Sequence, residues 1–410
     1  MARRPKIVLL WTQFAAYHVD RCEALARRFD GRADIVAIEM ASRSQQYAWQ
    51  PSAQIAGCRK LTLFGDARLE DISSWQRLRA IFKHARGADW LISGESSGHP
   101  VMIALSLILP LFGTRMIMQS DSKFDDFERR WWREALKSVL YLPYRGAIVG
   151  GLRARDFMRF LGFRRRPVLP GCDTVGTARV LAQSGGVLAQ DAADFAARPF
   201  VFVARFVAKK NLPVLIEAYA RYCALVGSGV GPEAGLGSGP APRQLVLVGA
   251  GEAQPAIEAQ IARLGLGAQV VFPGFLDAGG VARAIGSAAA LVLPSTEEQW
   301  GLVVNEAIAC GVPVIVSENV GSRDALVDNL VNGYVVPARS AASLARALLA
   351  IGADEAQWRA MARASAQRIW LADVERFADA VEMLVDGPGS PAAAQVDKFR
   401  RLLERSEEPA

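Results

Sequence analysis

The sequence has little of what metal and disulfide chemistry needs. Its 410 residues include three histidines and five cysteines, and the cysteines are odd in number, scattered and without a Cys-x-x-Cys pair. This pattern argues against a disulfide framework and against a zinc site. It favours a reducing compartment, so we expect a cytoplasmic protein.

Long apolar runs are also absent. The longest, VMIALSLILPLFG at 101–113, contains Pro110 and falls short of the ~20 residues that a membrane-spanning helix requires. The apolar run Ile7–Trp11 is shorter still, and no convincing cleavage site of a secretory signal follows it. We therefore expect 101–113 to contain a buried helix and Ile7–Trp11 to belong to a first strand.

The charge is unevenly distributed along the chain. Residues 1–190 hold 29 Lys and Arg against 17 Asp and Glu, a net charge of +12, whereas the remainder carries −5. A basic half attracts anions such as nucleic acid, acidic lipid headgroups or diphosphate-linked substrates. No basic-aromatic nucleic-acid module is visible, so nucleic acid is not an expected partner.

Apolar runs without polar alternation recur along the chain and are separated by helix-length segments. Such runs are typical of parallel strands buried on both faces of a sheet. We predict an α/β protein with two Rossmann-like, doubly wound parallel-sheet domains. The predicted strands are Lys6–Trp11, Asp34–Met40, Asp89–Ser93, Arg115–Ser120, Ala147–Gly150, Pro167–Pro170, Phe200–Ala204, Gln244–Gly249, Val270–Pro273, Ala290–Pro294, Pro313–Ser317 and Tyr334–Pro337.

Turn-rich segments indicate where the domains divide. PGCDTVGT at 170–177 predicts a crossover, and DGPGSP at 386–391 predicts the end of the globular part. We expect a first domain at 1–172, a second at 173–385 and a C-terminal tail at 386–410. The Gly/Pro/Ser-rich residues 227–243 predict a surface loop without chemistry.

Two glutamates stand out in ALVLPSTEEQWGLVVNEAIACGVPVIVSE, residues 290–318. Glu298 follows a predicted strand, and Glu306 lies about one turn into a predicted helix that begins near Gly301. Ligands bind beside the carboxyl ends of strands in open parallel sheets, and a helix N-terminus attracts a diphosphate. A carboxylate can accept hydrogen bonds from both ribose hydroxyls, which suits Glu306. Glu298 is placed for the hydroxyls of a sugar.

A second polar segment, ARFVAKKNLPVLIEAY at 204–219, places two cations beside another helix start. Arg205 follows a predicted strand, and Lys210 precedes the helix. Fixed cations stabilise negative charge that grows on a departing diphosphate, each contributing on the order of 10²–10³ in rate. Lys209 is interpreted as a solvated neighbour.

Together these segments resemble the signature of the retaining glycosyltransferases of family 4. The resemblance rests on Pro-Ser-x-x-Glu-x-Trp-Gly, the spaced Glu306, Ala-x-x-Cys-Gly-Val-Pro-Val-Ile and the Arg-x4-Lys pair of Arg205 and Lys210. It implies the GT-B fold, in which two Rossmann-like domains face a cleft and the final helices return to the first domain. It also implies metal-independent transfer on one face of the sugar, in line with the absence of Asp-x-Asp.

The resemblance implies further contacts with a nucleotide-sugar donor. Trp300, Gly301 and Leu302 belong to the motif around the helix start. Gly249 and Gly251 follow a predicted strand, where a glycine either lets a ligand approach or forms a simple tight turn. Phe275 resembles a base-contacting residue, and packing in the core is the alternative.

The acceptor side is less defined. His18 and His99 each follow a predicted strand, and either a direct contact with a hydroxyl or a structural role is open for both. Residues 120–137 open with acidic side chains and then predict a helix with Arg129, Arg133 and Lys137 on one face and Trp132 on another. Such a helix fits either an anionic membrane surface or an ordinary surface helix with its tryptophan packed inward. Arg164–Arg166 would add to the membrane surface or form a solvated turn.

These observations favour a retaining glycosyltransferase that moves a sugar from a UDP- or GDP-linked donor to a polysaccharide or lipid-linked glycan, at or near the inner face of the membrane. Glu298, Arg205 and Lys210 are its expected catalytic residues, and no metal or further cofactor is expected. The alternatives are a non-catalytic sugar-nucleotide-binding subunit and a sugar-nucleotide epimerase.

Overall fold

A computed structural model describes residues 3–43, 54–95, 97–126, 128–227 and 241–405 of the protein. The chain divides into two compact units, which we call the first unit and the second unit. The first contains Met1–Gly176 and Val374–Ala410, and the second contains Thr177–Asp373. Most of the Gly/Pro/Ser-rich segment 227–243 lies outside the described residues.

Each unit is built on one parallel sheet. The strands of the first unit are β1 Lys6–Trp11, β2 Asp34–Glu39, β3 Arg59–Thr62, β4 Trp90–Ser93, β5 Arg115–Ser120, β6 Tyr144–Val149 and β7 Val168–Pro170, paired in the order β3-β2-β1-β4-β5-β6-β7. Those of the second unit are β8 Phe200–Val203, β9 Leu245–Val248, β10 Val270–Gly274, β11 Ala290–Leu293, β12 Val314–Ser317 and β13 Gly333–Val336, paired in the order β10-β9-β8-β11-β12-β13.

Helices follow most strands and cover the sheets. They are α1 Ala16–Arg28, α2 Ser74–Ala85, α3 Pro100–Ile108, α4 Trp131–Leu140, α5 Leu152–Phe160, α6 Thr177–Gln183, α7 Leu212–Gly227, α8 Gln254–Arg263, α9 Ala278–Gly286, α10 Leu302–Ala309, α11 Arg323–Leu326, α12 Ala341–Ala353, α13 Glu355–Ala366, α14 Ile369–Ala372, α15 Glu375–Asp386 and α16 Ala393–Arg405. Among the described residues, no helix has both the length and the apolar composition needed to cross a bilayer.

The chain reverses its direction of winding once in each sheet. In the first unit this happens between β1 and β4, and in the second between β8 and β11. At such a point the loops after the two strands diverge and leave a crevice at the carboxyl edge of the sheet, where ligands bind. The strand order therefore places the loops after β1 and β4 beside the crevice of the first sheet, and those after β8 and β11 beside the crevice of the second.

The predicted strands are all present, with ends shifted by up to three residues, and the predicted α/β class is confirmed. The prediction missed β3, an edge strand of sequence RKLT whose residues are at most half-buried. The expectation of a buried helix at 101–113 was wrong in part. α3 continues into a 3-10 turn, Leu109–Phe112, and the side chains of Leu107, Leu111 and Phe112 are exposed.

The C-terminal segment belongs to the first unit, where it begins at Val374. α15 packs on α1, and the guanidinium of Arg28 donates to the carboxylates of Glu375, Asp379 and Glu382 at 2.6–3.0 Å. We expected residues 386–410 to form a tail. Instead α16 packs on α15 and β7, because its apolar side chains are buried on one face: Val396, Phe399 and Leu403. The unit boundary at 176/177 also lies four residues beyond the one expected.

The return of the chain at Val374 predicts that Phe377, which is fully buried in the first unit, contributes strongly to its stability. Phe377→Ala should lower the free energy of unfolding by about 3–5 kcal/mol, because it leaves a cavity among apolar side chains. Chemical denaturation measures this change. Phe275→Ala is the matched control, since Phe275 is 67% exposed. Equal stability of the two variants would contradict this packing of α15.

Candidate functional site

The loop after β8 carries the two predicted cations. Arg205 is exposed two residues beyond the end of the strand, and Lys210 ends a 3-10 turn, Ala208–Lys210, just before α7. The ammonium of Lys210 forms an ion pair with the carboxylate of Glu298, and the two side chains are only 15% and 13% exposed. The structure therefore brings the loops after β8 and β11 together at the crevice of the second sheet.

The neighbouring lysine is different. The side chains of Lys209 and Glu297 form an ion pair of 3.3 Å, and each is 40% exposed. An exposed pair of this kind is screened by water and contributes little to stability. Two adjacent lysines thus face two adjacent glutamates, and the inner pair, Lys210 and Glu298, is shielded from solvent.

Buried hydrogen bonds fix the loop that carries these groups. Asn211 has a left-handed backbone, with φ of 59°, and its side-chain amide donates to the carbonyls of Pro294 at 2.9 Å and Ala338 at 2.7 Å. The backbone N–H of Thr296 donates to the carbonyl of Lys209 at 2.9 Å. These bonds connect the end of β8 to the end of β11, so the position of Lys210 relative to Glu298 does not depend on their ion pair alone.

Glu298 is held from several sides. Its carboxylate accepts a hydrogen bond from the hydroxyl of Ser295 at 3.1 Å in addition to the pair with Lys210. Its carbonyl accepts from the backbone N–H of Gly321 at 3.2 Å. A Cβ on Gly321 would lie 1.7 Å from the carbonyl oxygen of Gln299, so only glycine fits there. The carboxylate is consequently pre-positioned.

The N-terminus of α10 lies beside Glu298. Gly301 precedes the helix with φ of 93°, and a Cβ on it would lie 3.3 Å from Cγ of Glu298. The N-cap residue, Gly301, has no side chain to cap this helix start, and backbone N–H groups at a helix N-terminus can bind an anion. Leu302 opens the helix, and Glu306 is half-buried five positions into it.

Trp300 has a structural role. Its indole N–H donates to the side-chain carbonyl of Asn305 at 2.9 Å, and its side chain is buried. Asn305 in turn donates to the carbonyl of Ala372 at 3.3 Å. Trp300 was expected to contact a nucleotide, but its indole N–H is used within the protein. The indole thereby supports the loop between Glu298 and α10, and a contact of Trp300 with a nucleotide stays a prediction.

The glycines Gly249 and Gly251 allow two loops to approach each other. A Cβ on Gly249 would lie 2.0 Å from the carbonyl oxygen of Ala204, and one on Gly251 would lie 2.4 Å from that of Phe206. These two backbone positions flank Arg205, so the glycines position the loop that carries it. Phe275 follows β10 and is 67% exposed, which excludes the core-packing alternative.

The two candidate histidines of the first unit have structural bonds. Nδ1 of His18 accepts from the backbone N–H of Ala15 at 2.9 Å, and Nδ1 of His99 accepts from that of Val101 at 3.3 Å. Burial is the main reason that the pKa of each is lowered, strongly for His18. Both imidazoles are thus neutral at pH 7, with the proton on Nε2.

Sequence analysis missed a group of polar side chains at the carboxyl edge of the first sheet. Within the described residues, Oε1 of Gln13, Oε2 of Glu95 and Nε2 of Gln119 are buried and have no hydrogen-bond partner. Gln13 follows β1, Glu95 follows β4 and Gln119 lies near the end of β5, and these three strands are neighbours in the sheet. Burial raises the pKa of Glu95 to about 7, against a smaller opposing effect of Arg77. The polar sequence GESSG after a buried strand was the available signal.

The described residues contain no group of three or more His, Cys, Asp and Glu side chains arranged to hold a metal ion. The five cysteines are free thiols.

The second unit is similar to a known family. Residues 196–368 match the model of the family Glycosyl transferases group 1. An uncharacterized glycosyltransferase of Methanocaldococcus jannaschii is 35% identical over 102 residues, which are 25% of this chain and 26% of that protein. Phosphatidyl-myo-inositol mannosyltransferase of Mycobacterium leprae is 38% identical over 109 residues, 26% of this chain and 28% of that protein. The matched segments span only about a quarter of these relatives.

Solved structures extend the likeness to both units. Sucrose-phosphate synthase from Thermosynechococcus elongatus superposes with a TM-score of 0.66 at 19% identity and covers 98% of this chain and 100% of its own. Anabaena HepE, solved with UDP and glucose, has a TM-score of 0.65 at 16% identity, with 93% and 100% covered. The chain thus has the GT-B fold, as the resemblance implied.

The buried carboxyl of Glu95 predicts a pH-dependent stability. Its folded pKa of about 7 lies above the value of 4.5 for an exposed glutamate, so the folded state binds more protons between these pH values and loses stability as the pH rises. Glu95→Gln should remove this loss. The difference in free energy of unfolding between this variant and the unmodified protein should shift in favour of the variant by up to about 3 kcal/mol from pH 4.5 to pH 8. Thermal denaturation across this range measures it.

The exposed Glu252 provides the control for that experiment. Glu252→Gln should leave the shape of the stability profile unchanged. A profile of Glu95→Gln that runs parallel to that of the unmodified protein would show that Glu95 ionises normally.

Proposed function

We propose that this protein is a retaining, metal-independent hexosyltransferase that uses a UDP- or GDP-linked sugar. Its acceptor is a polysaccharide or lipid-linked glycan in cell-envelope or exopolysaccharide synthesis, and it works at the cytoplasmic side of the membrane. The observation that carries the proposal is the shielded pair of Lys210 and Glu298 at the crevice of the second sheet, beside the N-terminus of α10.

The charges of this crevice fit a nucleotide diphosphate. Lys210 and Arg205 lie on the same loop, which hydrogen bonds attach to the end of β11. In our proposal they and the first N–H groups of α10 bind the diphosphate, and Glu306 accepts hydrogen bonds from the ribose. Phe275, exposed at the end of β10, is available to the base.

The position of Glu298 suits the transferred sugar. Its carboxylate is fixed by Ser295 and Lys210, so it can accept hydrogen bonds from sugar hydroxyls without first reorganising. As the bond between the anomeric carbon and the phosphate oxygen breaks, negative charge grows on the diphosphate beside the cations. The departing phosphate oxygen accepts the proton of the acceptor hydroxyl, which attacks the same face of the sugar. The anomeric configuration is thereby retained.

Similar proteins support a nucleotide-sugar donor and a membrane-linked acceptor. Structures of Anabaena HepE contain UDP, UDP with glucose and UDP-glucose. Phosphatidyl-myo-inositol mannosyltransferase is named for transfer to a lipid. In the first unit, the side chains of Gln13, Glu95 and Gln119 lie at the crevice of the sheet, and in our proposal the acceptor hydroxyls bind beside them.

A binding experiment tests the diphosphate contact. Lys210→Met should weaken the affinity for UDP or GDP roughly tenfold or more, because a shielded cation next to the phosphates is removed. Lys209→Met is the matched control and should change the affinity less than about twofold, since this lysine is more exposed. Isothermal titration calorimetry gives both values.

Removal of Lys210 leaves the carboxylate of Glu298 without its ion pair, so folding must be checked. The double variant Lys210→Met/Glu298→Gln removes both charges and should still bind the nucleotide weakly. Equal affinities of the Lys209 and Lys210 variants would remove Lys210 from the site.

A turnover experiment separates the proposal from a non-catalytic binding subunit. Incubation with UDP- and GDP-sugars and a lipid-linked or polysaccharide acceptor should release free nucleoside diphosphate and give a product with the anomeric configuration of the donor. NMR of the product measures that configuration. Nucleotide binding without any release would favour the subunit, and a new sugar nucleotide formed without acceptor would indicate an epimerase.

A further inference from the structure

Apolar side chains are exposed in a group at the amino edge of the first sheet. Leu111, Phe112 and Leu142 are 81%, 53% and 67% exposed. Leu111 and Phe112 lie in the turn before β5, and Leu142 lies in the turn before β6. We call these three residues the amino-edge patch. A cluster of large exposed apolar side chains on one face of a protein marks an interaction surface.

The two turns lie next to each other in space. Pro110 and Arg115, which flank the first turn, line the same cavity of about 600 Å³ as Leu142 and Arg145 of the second. A third turn, before β7, contributes Arg165 to this cavity. The amino-edge patch is thus one surface, although its residues are about 30 positions apart in sequence.

The patch continues along α4. Trp132, Leu136 and Val139 recur at i, i+4 and i+7, which places them on one face of the helix. They are 47%, 52% and 61% exposed, so among the described residues this face leaves much of its apolar surface accessible. α4 ends at Leu140, two residues before Leu142. Trp132 is therefore half-exposed and not fully packed inward, and the expected membrane surface stays a prediction.

Basic side chains surround the patch. The cavity is lined by Arg115, Arg145, Arg165 and Arg166, and no acidic side chain among the described residues lines it. The guanidinium of Arg166 donates to the carbonyls of Tyr141 at 2.6 Å and Tyr144 at 2.8 Å, which fixes the turn that carries Leu142. Arg145 and Arg165 are exposed at the rim.

The basic character extends to α2 on the other side. The ring of Phe112 packs edge-on against that of Phe82 in α2, with 5.2 Å between their centroids. Phe82 lines a second cavity together with Arg79, Lys83 and Arg86, again without an acidic side chain among the described lining residues. An apolar centre with cations on both sides therefore covers this face of the first unit.

We propose that the amino-edge patch and the adjoining face of α4 dock on an anionic lipid bilayer. The apolar side chains would enter the interface between headgroups and acyl chains while the arginines contact lipid phosphates, as in amphipathic surfaces that lie on membranes. A second copy of the chain fits less well. A two-fold interface would place the same patch against itself and oppose arginine with arginine.

The proposed function includes a location at the membrane, and the inference rests on the proposed function for that location alone. It adds the partner, an anionic bilayer, and the surface that binds this partner. Vesicle binding needs neither donor nor acceptor. Its failure would therefore leave nucleotide binding by the second unit unaffected, and the two results can be told apart.

Vesicle sedimentation tests the proposal on the full chain. The protein should bind vesicles of phosphatidylcholine containing about 30% phosphatidylglycerol roughly tenfold more tightly than pure phosphatidylcholine, and about 0.5 M salt should weaken this binding. The double variant Leu111→Ser/Leu142→Ser should lose most of the binding to anionic vesicles. Arg145→Gln/Arg165→Gln should lose the preference for anionic lipid.

The second unit offers a matched control. Val187 and Leu264 are 54% and 40% exposed there, and Val187→Ser/Leu264→Ser should bind vesicles like the unmodified protein. Far-ultraviolet circular dichroism and the melting temperature show that each variant is folded. Binding that is equal for neutral and anionic vesicles, or unchanged in the patch variants, would overturn the proposal. So would a dimer in sedimentation velocity that the patch variants convert to a monomer.

Discussion

The shielded ion pair between Lys210 and Glu298 is the interaction around which the second unit is arranged. Shielding two opposite charges from water is costly unless they pair and their remaining hydrogen bonds are satisfied. Here Ser295 binds the carboxylate, and Asn211 fixes the loop that carries the lysine. A diphosphate with its sugar offers partners to both charges, an anion for the lysine and hydroxyls for the glutamate. The pair is therefore interpreted as a site held ready for a ligand.

Strand order explains why these groups meet although they are almost ninety positions apart in sequence. Each sheet reverses its direction of winding at one point, between β1 and β4 in the first unit and between β8 and β11 in the second. The second crevice collects cations and carboxylates, and the first collects unpartnered amide and carboxyl atoms of Gln13, Glu95 and Gln119. One architecture thus places cations and carboxylates at one crevice, and two amides with one carboxyl at the other.

Much of the fold, and the place of the candidate site residues within it, could be predicted from sequence, because buried parallel strands are continuous apolar runs and the motif residues follow them directly. Trp300, Gly249 and Gly251 show the limit of that reasoning. A motif marks a position, but only the backbone around it shows that the glycines make room for the Arg205 loop and that the indole supports the turn. The polar edge strand β3 and the packing of α16 depend on tertiary contacts that no local pattern encodes. The amino-edge patch joins distant turns, and for this reason its exposure was not foreseen.

The central claim is that the diphosphate of a nucleotide binds to Lys210, Arg205 and the N-terminus of α10. A crystal structure with UDP or GDP bound tests it most directly. The account predicts diphosphate oxygens about 3 Å from Nζ of Lys210 and from backbone N–H groups of the first turn of α10. A nucleotide bound at another place in the chain, with the pair of Lys210 and Glu298 intact and untouched, would contradict it.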